Sequence, residues 1–193
     1  MIGFSSRVLL ACLATACTQP LTPSDSETTE ADVFQDTTNE PVSLIDNWLW
    51  IQVSGDADPF NDTLTPDTIV CPQAELNVEQ LPDGDWFDVV TKNCAYVTVT
   101  QPLLANIAAT GELKIRIWHF AITFGDGPFT LAVQIGKESE PLWTVTKPFP
   151  SESGLIFAEF KTDRAYNKGD PIYYHISNHG DNSWGLIEFS YLP

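Results

Sequence analysis

Three histidines are the residues of this chain whose type and position most directly suggest chemistry. His119, His175 and His179 all lie in the C-terminal half of the 193-residue sequence. Neutral imidazole is the commonest metal ligand, and three imidazoles with an open fourth position are typical of catalytic zinc. If the strands that carry His119 and His175 pair side by side, the three rings converge, and an acid such as Glu188 nearby would act as the base of a metal-dependent hydrolase. Purely structural histidines and a metal-free ligand pocket are the alternatives.

Carboxylates are concentrated in one short loop. Asp56, Asp58 and Asp62 lie within the segment 55–62, which also contains glycine and proline. Calcium takes hard oxygen ligands of this kind. The segment departs from the helix–loop–helix calcium loop, because Phe60 stands where a third ligand belongs and no glutamate follows at the closing position. A calcium site and a solvated acidic loop therefore both remain open.

Tryptophans are numerous for a chain of this length, and there are six of them: Trp48, Trp50, Trp86, Trp118, Trp143 and Trp184. Flat aromatic faces can stack on sugars and exposed peptides, although most large aromatic side chains belong to a core. Trp184 follows a polar loop that contains Asn178 and Asn182. Trp184 is therefore the candidate for an exposed ring that binds a ligand together with Asn178 and Asn182, and burial of Trp184 in the core is the alternative.

Several functional classes lack their usual sequence signatures. The chain has no Gly-x-Ser-x-Gly elbow, no phosphate-binding glycine-rich loop and no His-Glu-x-x-His motif. These three motifs are the usual local signatures of acyl transfer, nucleotide chemistry and zinc proteolysis, respectively. A triad dispersed along the chain stays open, because triads are assembled in space. The net charge of −17 repels phosphate backbones and argues against nucleic-acid binding.

The elements that must position these residues are predicted to be strands. Aromatic and β-branched runs separated by turn residues indicate strands at 48–53, 86–91, 94–100, 112–124, 129–135, 142–145, 154–161, 171–177 and 186–191. No segment has a sustained helical period, although 102–110 could form one helical turn. Both faces of 112–124 are apolar near its end, which favours a central strand with a covered outer face. Strands without helices predict two antiparallel sheets packed face to face, in a β-sandwich or jelly roll.

The N-terminus has the pattern of an export signal. Arg7 precedes the apolar run 8–16, which is too short to span a bilayer but fits a secretory signal. The sequence Ala-Thr-Ala-Cys that ends at Cys17 resembles a bacterial lipobox, with Ala14 where leucine is usual. This resemblance implies cleavage before Cys17 and lipidation of its thiol, so residues 1–16 would be removed. Cleavage before Cys12, or a plain secretory signal without lipid, are the alternatives.

The segment that follows the predicted cleavage site is an acidic linker. Residues 17–43 are rich in Thr, Ser, Pro and Gln and contain six acids but no Lys or Arg. Such a composition cannot bury enough apolar surface to fold. We therefore predict a disordered tether over 17–43 and one β-sandwich domain over 44–193.

The lipoprotein resemblance also assigns the four cysteines. Cys12 leaves with the signal and Cys17 carries the lipid, so Cys71 and Cys94 remain. Export into an oxidising compartment favours a disulfide between them, with free thiols as the alternative.

The functional prediction combines the anchor with the sandwich. The runs 118–120, 178–180 and 182–184 loosely resemble bacterial lipoproteins and jelly-roll binding modules, without implying any site residue. We predict an envelope lipoprotein, in the outer membrane in preference to the inner, whose domain binds a glycan or an envelope protein. A metal-dependent hydrolase and a structural envelope component are the alternatives.

Overall fold

A computed structural model of the protein describes residues 40–60, 71–94, 96–123, 128–137, 139–177 and 180–193. The chain divides into two compact units, Met1–Thr37 and Thr38–Pro193. The first unit lies outside the described residues, and so do the predicted signal, Cys17 and most of the predicted linker. Within the described ranges no helix is long and apolar enough to cross a membrane.

The described part of the second unit consists of strands and three single-turn 3-10 helices at Gly55–Ala57, Gln73–Glu75 and Thr91–Asn93. The strands are β1 (Val42–Ser43), β2 (Ile51–Val53), β3 (Leu76–Leu81), β4 (Gly84–Val90), β5 (Tyr96–Pro102), β6 (Glu112–His119), β7 (Phe129–Ile135), β8 (Trp143–Lys147), β9 (Gly154–Lys161), β10 (Pro171–Ser177) and β11 (Ser183–Leu192).

These strands form two antiparallel sheets. Sheet A has the order β3-β4-β11-β6-β9, with β1 also beside β11, and sheet B has the order β2-β5-β10-β7-β8. From β4 onward the pairing is nested: β4 pairs with β11, β5 with β10, β6 with β9 and β7 with β8. This nesting across two sheets is the jelly-roll topology, which confirms the predicted fold class.

The core lies between the sheets and follows from alternation along each strand. In β6, Leu113, Ile115 and Ile117 are buried, whereas the residues between them are half-buried. The same alternation places Tyr174 and Ile176 of β10 in the core. Since successive side chains of a strand point to opposite faces, the intervening residues lie on the outer faces of the sheets, where ligands have access.

A disulfide joins Cys71 to Cys94, as the sequence predicts. It closes a loop with a sequence separation of 23 residues that contains the β3–β4 hairpin. β3 itself is absent from the predicted strands, because the polar side chains of Asn77, Glu79 and Gln80 mask its alternation. Leu76 and Val78 nevertheless pack against the core.

Some predicted boundaries are wrong for identifiable reasons. β6 ends at His119 and does not continue to 124, and Phe120 beyond it is 58% exposed, so the outer face there is not covered. The segment 102–110 contains no helical turn, because the backbone of Ile107 pairs with that of Tyr166. β1 pairs with β11, so the sandwich begins two residues inside the predicted linker.

Candidate functional site

His119 is a core residue at the end of β6. Its ring stacks on that of Trp184, with 5.1 Å between centroids, and lies 6.1 Å from the ring of Phe129. Nδ1–H donates to the carbonyl of Phe120 at 2.8 Å. Burial lowers the pKa of His119 and the nearby charge of Lys147 lowers it further, against the opposing effect of the Phe120 carbonyl. The residue therefore packs as a neutral ring between the sheets.

His175 lies on the outer face of sheet B, because its neighbours along β10 occupy the core face. Its ring stacks on Phe60, with 4.4 Å between centroids, and meets the edge of Tyr96 at 4.8 Å. Nδ1 lies 3.0 Å from Oγ1 of Thr98. Only 4% of His175 is exposed, and this burial lowers its pKa to about 3.

The predicted zinc site is not assembled from these two residues. His119 faces the interior from sheet A, whereas His175 faces outward from sheet B, so the backbone of sheet B separates them. They diverge because β6 and β10 do not pair, contrary to the expectation. His179 lies outside the described residues, and Glu188 is on the outer face of sheet A. Across the described ranges no group of three His, Cys, Asp or Glu side chains could hold a metal ion.

The acidic loop is organised around one buried carboxylate. Asp58 is buried and accepts hydrogen bonds from the backbone N–H of Phe60, at 2.9 Å, and from the hydroxyl of Tyr96. Burial, together with the bond to Asp58, raises the pKa of Tyr96. Asp56 is exposed, and Asp62 lies outside the described residues. The carboxylate of Asp58 therefore binds the loop to sheet B. Among the described residues, Asp56 and Asp58 belong to no group of three carboxylates that could hold a calcium ion.

The prediction of an exposed Trp184 is wrong. The alternation of β11 turns Trp184 and Leu186 inward, and Trp184 is fully buried opposite His119. Asn182 is buried as well, and neither polar atom of its side chain has a hydrogen-bond partner among the described residues. Asn178 lies outside the described residues. Neither Trp184 nor Asn182 is presented to solvent.

An aromatic surface that the sequence did not single out covers part of the outer face of sheet A. We call it the aromatic floor and define it as Trp86, Trp118, Leu155 and Phe157. Gly185, Trp118 and Leu155 are direct cross-strand neighbours on β11, β6 and β9. Leu155 and Phe157 are 47% and 51% exposed, and the two tryptophans are half-buried. Contiguous exposed apolar surface of this kind marks binding sites.

Gly185 determines how Trp86 lies on the sheet. A Cβ atom added to Gly185 would stand 3.0 Å from Cε3 of Trp86, which is closer than the usual 3.5–4.0 Å between carbon atoms. The indole therefore rests against the backbone of β11, where a side chain would displace it. Its nitrogen is buried and has no hydrogen-bond partner among the described residues. Trp86 and Trp118 belong to the two strands that flank β11, about 9–10 Å apart at ordinary strand spacing.

A buried carboxyl group borders the floor on the β4 side. Asp88 pairs with Gly185 in the register of β4 and β11. The hydroxyl of Ser183 donates a hydrogen bond to its carboxylate. Burial raises the pKa of Asp88, the bond from Ser183 lowers it, and the charge of Glu79 raises it further, with a net rise. The Asp88 carboxyl and the Ser183 hydroxyl therefore form a hydrogen-bonded pair at this margin of the floor.

A cluster of paired charges borders the floor on the other side. Glu188 lies 3.2 Å from Nζ of Lys114 and 3.4 Å from Arg116, and it accepts a 2.8 Å hydrogen bond from Ser190. Burial opposes ionisation of Glu188, but these hydrogen bonds outweigh it and lower the pKa. Nζ of Lys114 also stands 5.9 Å from the ring centroid of Phe157, within the range of a cation–π contact. Both cations therefore already have an anionic partner.

One further tryptophan is exposed elsewhere. Trp48 is 58% exposed and lies in the segment before β2, outside the strands of sheet A. Its indole N–H donates to Oδ2 of Asp85 at 2.6 Å. Its backbone N–H donates to Oδ1 of Asp46 at 2.9 Å. Trp48 is thus a single ring held by a polar contact, in contrast to the adjoining side chains of the aromatic floor.

The fold and this surface define a jelly-roll domain with an open aromatic face. No protein-family model matches the sequence, and no curated protein matches it either. Similar solved structures include carbohydrate-binding module 27-1 of Caldicellulosiruptor saccharolyticus in complex with mannohexaose, at 9% identity and a TM-score of 0.48, covering 79% of this chain and 96% of that one.

Two other solved structures are similar to a comparable extent. TmCBM61 in complex with β-1,4-galactotriose is 9% identical with a TM-score of 0.43, covering 78% of this chain and 97% of that one. The family 11 carbohydrate-binding module of Clostridium thermocellum, in complex with a mixed-linked tetrasaccharide, is 10% identical with a TM-score of 0.41, covering 79% and 95%. At such identities the ligands of those proteins do not transfer to this chain.

Proposed function

We propose that the domain binds an uncharged glycan chain on the aromatic floor. The observation that carries this proposal is the Trp86 indole resting on β11 at Gly185, beside the half-buried Trp118 on the same outer face. Ring faces presented in this way pack against the C–H faces of sugar rings, because both surfaces are flat and apolar. Two such rings on strands that flank β11 suit separate units of one extended chain.

The charges around the floor favour a neutral ligand over an acidic one. The chain carries a net charge of −17, which repels polyuronates and sulfated glycans. Lys114 and Arg116 stand beside the floor, but both are paired with Glu188. On the opposite side Asp88 and Ser183 supply hydrogen-bonding groups. Ligand sites generally combine an apolar surface with a few polar groups that orient the ligand. The aromatic floor and its polar margins offer this combination to a neutral polyhydroxylated chain.

A panel of soluble polysaccharides tests this proposal. The mature chain with Cys17→Ser would be run in affinity gel electrophoresis against neutral mannan, mixed-linkage glucan and galactan, with polygalacturonate and alginate as acidic counterparts. We expect retardation by at least one neutral polymer and by neither acidic one. Binding to acidic polymers alone, or to none of the neutral ones, would contradict the proposal.

Matched variants locate the site. Trp118→Ala is expected to weaken binding about tenfold or more, equivalent to about 1.4 kcal/mol. Gly185→Ala should weaken it without removing any aromatic ring, because the new methyl group displaces the Trp86 indole. Trp48→Ala is the control, since it removes an exposed indole outside the floor. Loss of binding in the Trp48 variant with retention in the Trp118 variant would place the ligand elsewhere.

We also propose that the domain works while tethered to the cell envelope by lipid on Cys17. The support is the lipobox resemblance and the acidic composition of residues 17–43. A linker of about 26 residues spans a few nanometres, which would hold the domain clear of the membrane surface. Multiple acyl chains give stable anchoring, whereas a single chain does not. Cell fractionation after Cys17→Ser is expected to release the protein from the envelope pellet. An unchanged pellet fraction would refute the anchor.

A further inference from the structure

The outer edge of β9 is the longest free strand edge in the described structure. β9 spans eight residues and pairs with β6 on one side. On its other side no described strand lies beside it. The remaining terminal strands of the two sheets, β2, β3 and β8, are shorter. An unpaired edge presents a row of N–H and C=O groups that can pair with another strand.

This edge lacks the features that normally prevent such pairing. Natural edge strands carry charges, prolines or bulges. The first five residues of β9, 154–158, contain neither a charged residue nor proline, and their register with β6 is continuous. Leu155 and Phe157 are both about half exposed on the outer face. The charged residues Glu159 and Lys161 occupy only the far end of the strand.

We infer that a second copy of this chain pairs with β9 in antiparallel register around a two-fold axis at Ile156. In this register Leu155 of one copy stands opposite Phe157 of the other, twice, and both lie on the outer face. Gly154 stands opposite Ala158 of the second copy. Glu159 falls beside the uncharged residue 153, so no like charges meet.

The local charge explains why the partner can be a second copy of so acidic a chain. Two chains of net charge −17 repel each other over most of their surface. The outer face along β11, β6 and β9 is balanced, because its three basic residues match its three acidic ones: Lys114, Arg116 and Lys161 against Glu112, Glu159 and Glu188. The net charge of this face therefore adds little repulsion beside the free edge.

Pairing of this kind would join the two aromatic floors across the shared edge. Leu155 and Phe157 belong to the floor, and each would continue into the floor of the second copy. A glycan long enough to cross the axis would then contact both copies, and linked sites of this kind bind more tightly than either alone. This consequence rests on the proposed function, but the pairing itself does not.

Sedimentation analysis of the mature Cys17→Ser chain tests the pairing. We expect a concentration-dependent monomer–dimer equilibrium that Phe157→Lys shifts to monomer. Phe120→Lys is the control, since Phe120 is similarly exposed but lies outside β9, and it should leave the dimer intact. Circular dichroism of both variants confirms that each is folded. A monomer at all concentrations, or equal loss of dimer in both variants, would overturn the inference.

Cysteine cross-linking tests the register separately. Leu155→Cys and Phe157→Cys chains are prepared singly and then mixed under mild oxidation, with Cys17 as Ser. The two-fold axis at Ile156 predicts a cross-linked dimer from the mixture and little from either chain alone, because only unlike positions are opposite each other. Efficient cross-linking of one variant with itself would rule out this register. A dimer without glycan binding would refute the proposed function while leaving the pairing intact.

Discussion

The buried imidazole of His175 makes the stability of the domain depend on pH. Its pKa is about 3 in the folded protein, against an ordinary value of 6.5. The unfolded chain therefore binds a proton at this residue below pH 6.5, whereas the folded chain does not bind one until about pH 3. Stability decreases with falling pH wherever the unfolded state binds more protons than the folded state. The contribution of neutral His175 to stability is therefore complete above pH 6.5 and is lost between pH 6.5 and about 3.

The magnitude follows from the width of that interval. Each pH unit within it corresponds to about 1.4 kcal/mol, so His175 alone should reduce the free energy of unfolding by about 2 kcal/mol between pH 7.5 and pH 5. Domains of this size are typically stable by about 5–15 kcal/mol, so the change is measurable. His119 acts in the same direction, since its pKa is also lowered, and Asp88 acts in the opposite direction, since its pKa is raised.

The assay is urea denaturation at half-unit steps from pH 7.5 to pH 5, for the wild type and for His175→Phe. Phenylalanine retains a ring against Phe60, and the Thr98 hydroxyl keeps its other partner, the hydroxyl of Tyr96 at 3.1 Å. The variant is expected to lose about 2 kcal/mol less than the wild type over this range. An identical pH dependence in both proteins would refute the assignment of a buried, neutral His175.

Three further expectations follow from the packing. Asp88→Asn should raise the free energy of unfolding at pH 7, by about 1.4 kcal/mol for each unit of the rise in pKa. The gain should vanish below pH 3.8, because Asp88 is then protonated in both the folded and the unfolded state. Denaturation at pH 7 and at pH 3.5 measures this, and an equal gain at both values would contradict it. Replacing Cys71 and Cys94 together by Ser should cost about 3 kcal/mol for a loop of this length, seen as a lower guanidinium midpoint, while an unchanged midpoint would show that the bridge is not formed. Trp184→Ala should cost about 3–5 kcal/mol as a core truncation, whereas Trp48→Ala should cost no more than about 1 kcal/mol; similar losses in both variants would be inconsistent with their different burial.

Alternation along the strands made the fold class predictable. The bounds predicted for β7, β9 and β10 agree with the structure, because their apolar residues and flanking turns are unambiguous. β3 escaped prediction because three of its six residues are polar, and one of them, Gln80, falls on the same side of the strand as Leu76 and Val78. The Cys71–Cys94 pair was predictable because the predicted cleavage and lipidation would leave only these two cysteines without another role.

The aromatic floor was not predictable to the same degree, because alternation separates neighbours without saying which of them faces the core. Trp118 and His119 are adjacent in β6, and only the packing of sheet B against sheet A shows that His119 is the interior residue. Exposure of Trp184 was suggested by the polar loop before it, whereas its place in β11 turns it inward. Gly185 was the available signal, since glycine within a strand often marks the close approach of another group, here the indole of Trp86.

The most direct test of glycan binding is the response of individual indole groups. The six tryptophans give separate indole N–H signals in a nitrogen-15 NMR spectrum, which can be assigned with single Trp→Phe variants. The probe is a hexasaccharide of whichever neutral polysaccharide retards the protein. We predict saturable shifts for Trp86 and Trp118, with Trp48 unchanged. Shifts confined to Trp48, or no saturable shift in any indole signal, would contradict the assignment of the aromatic floor as the binding site.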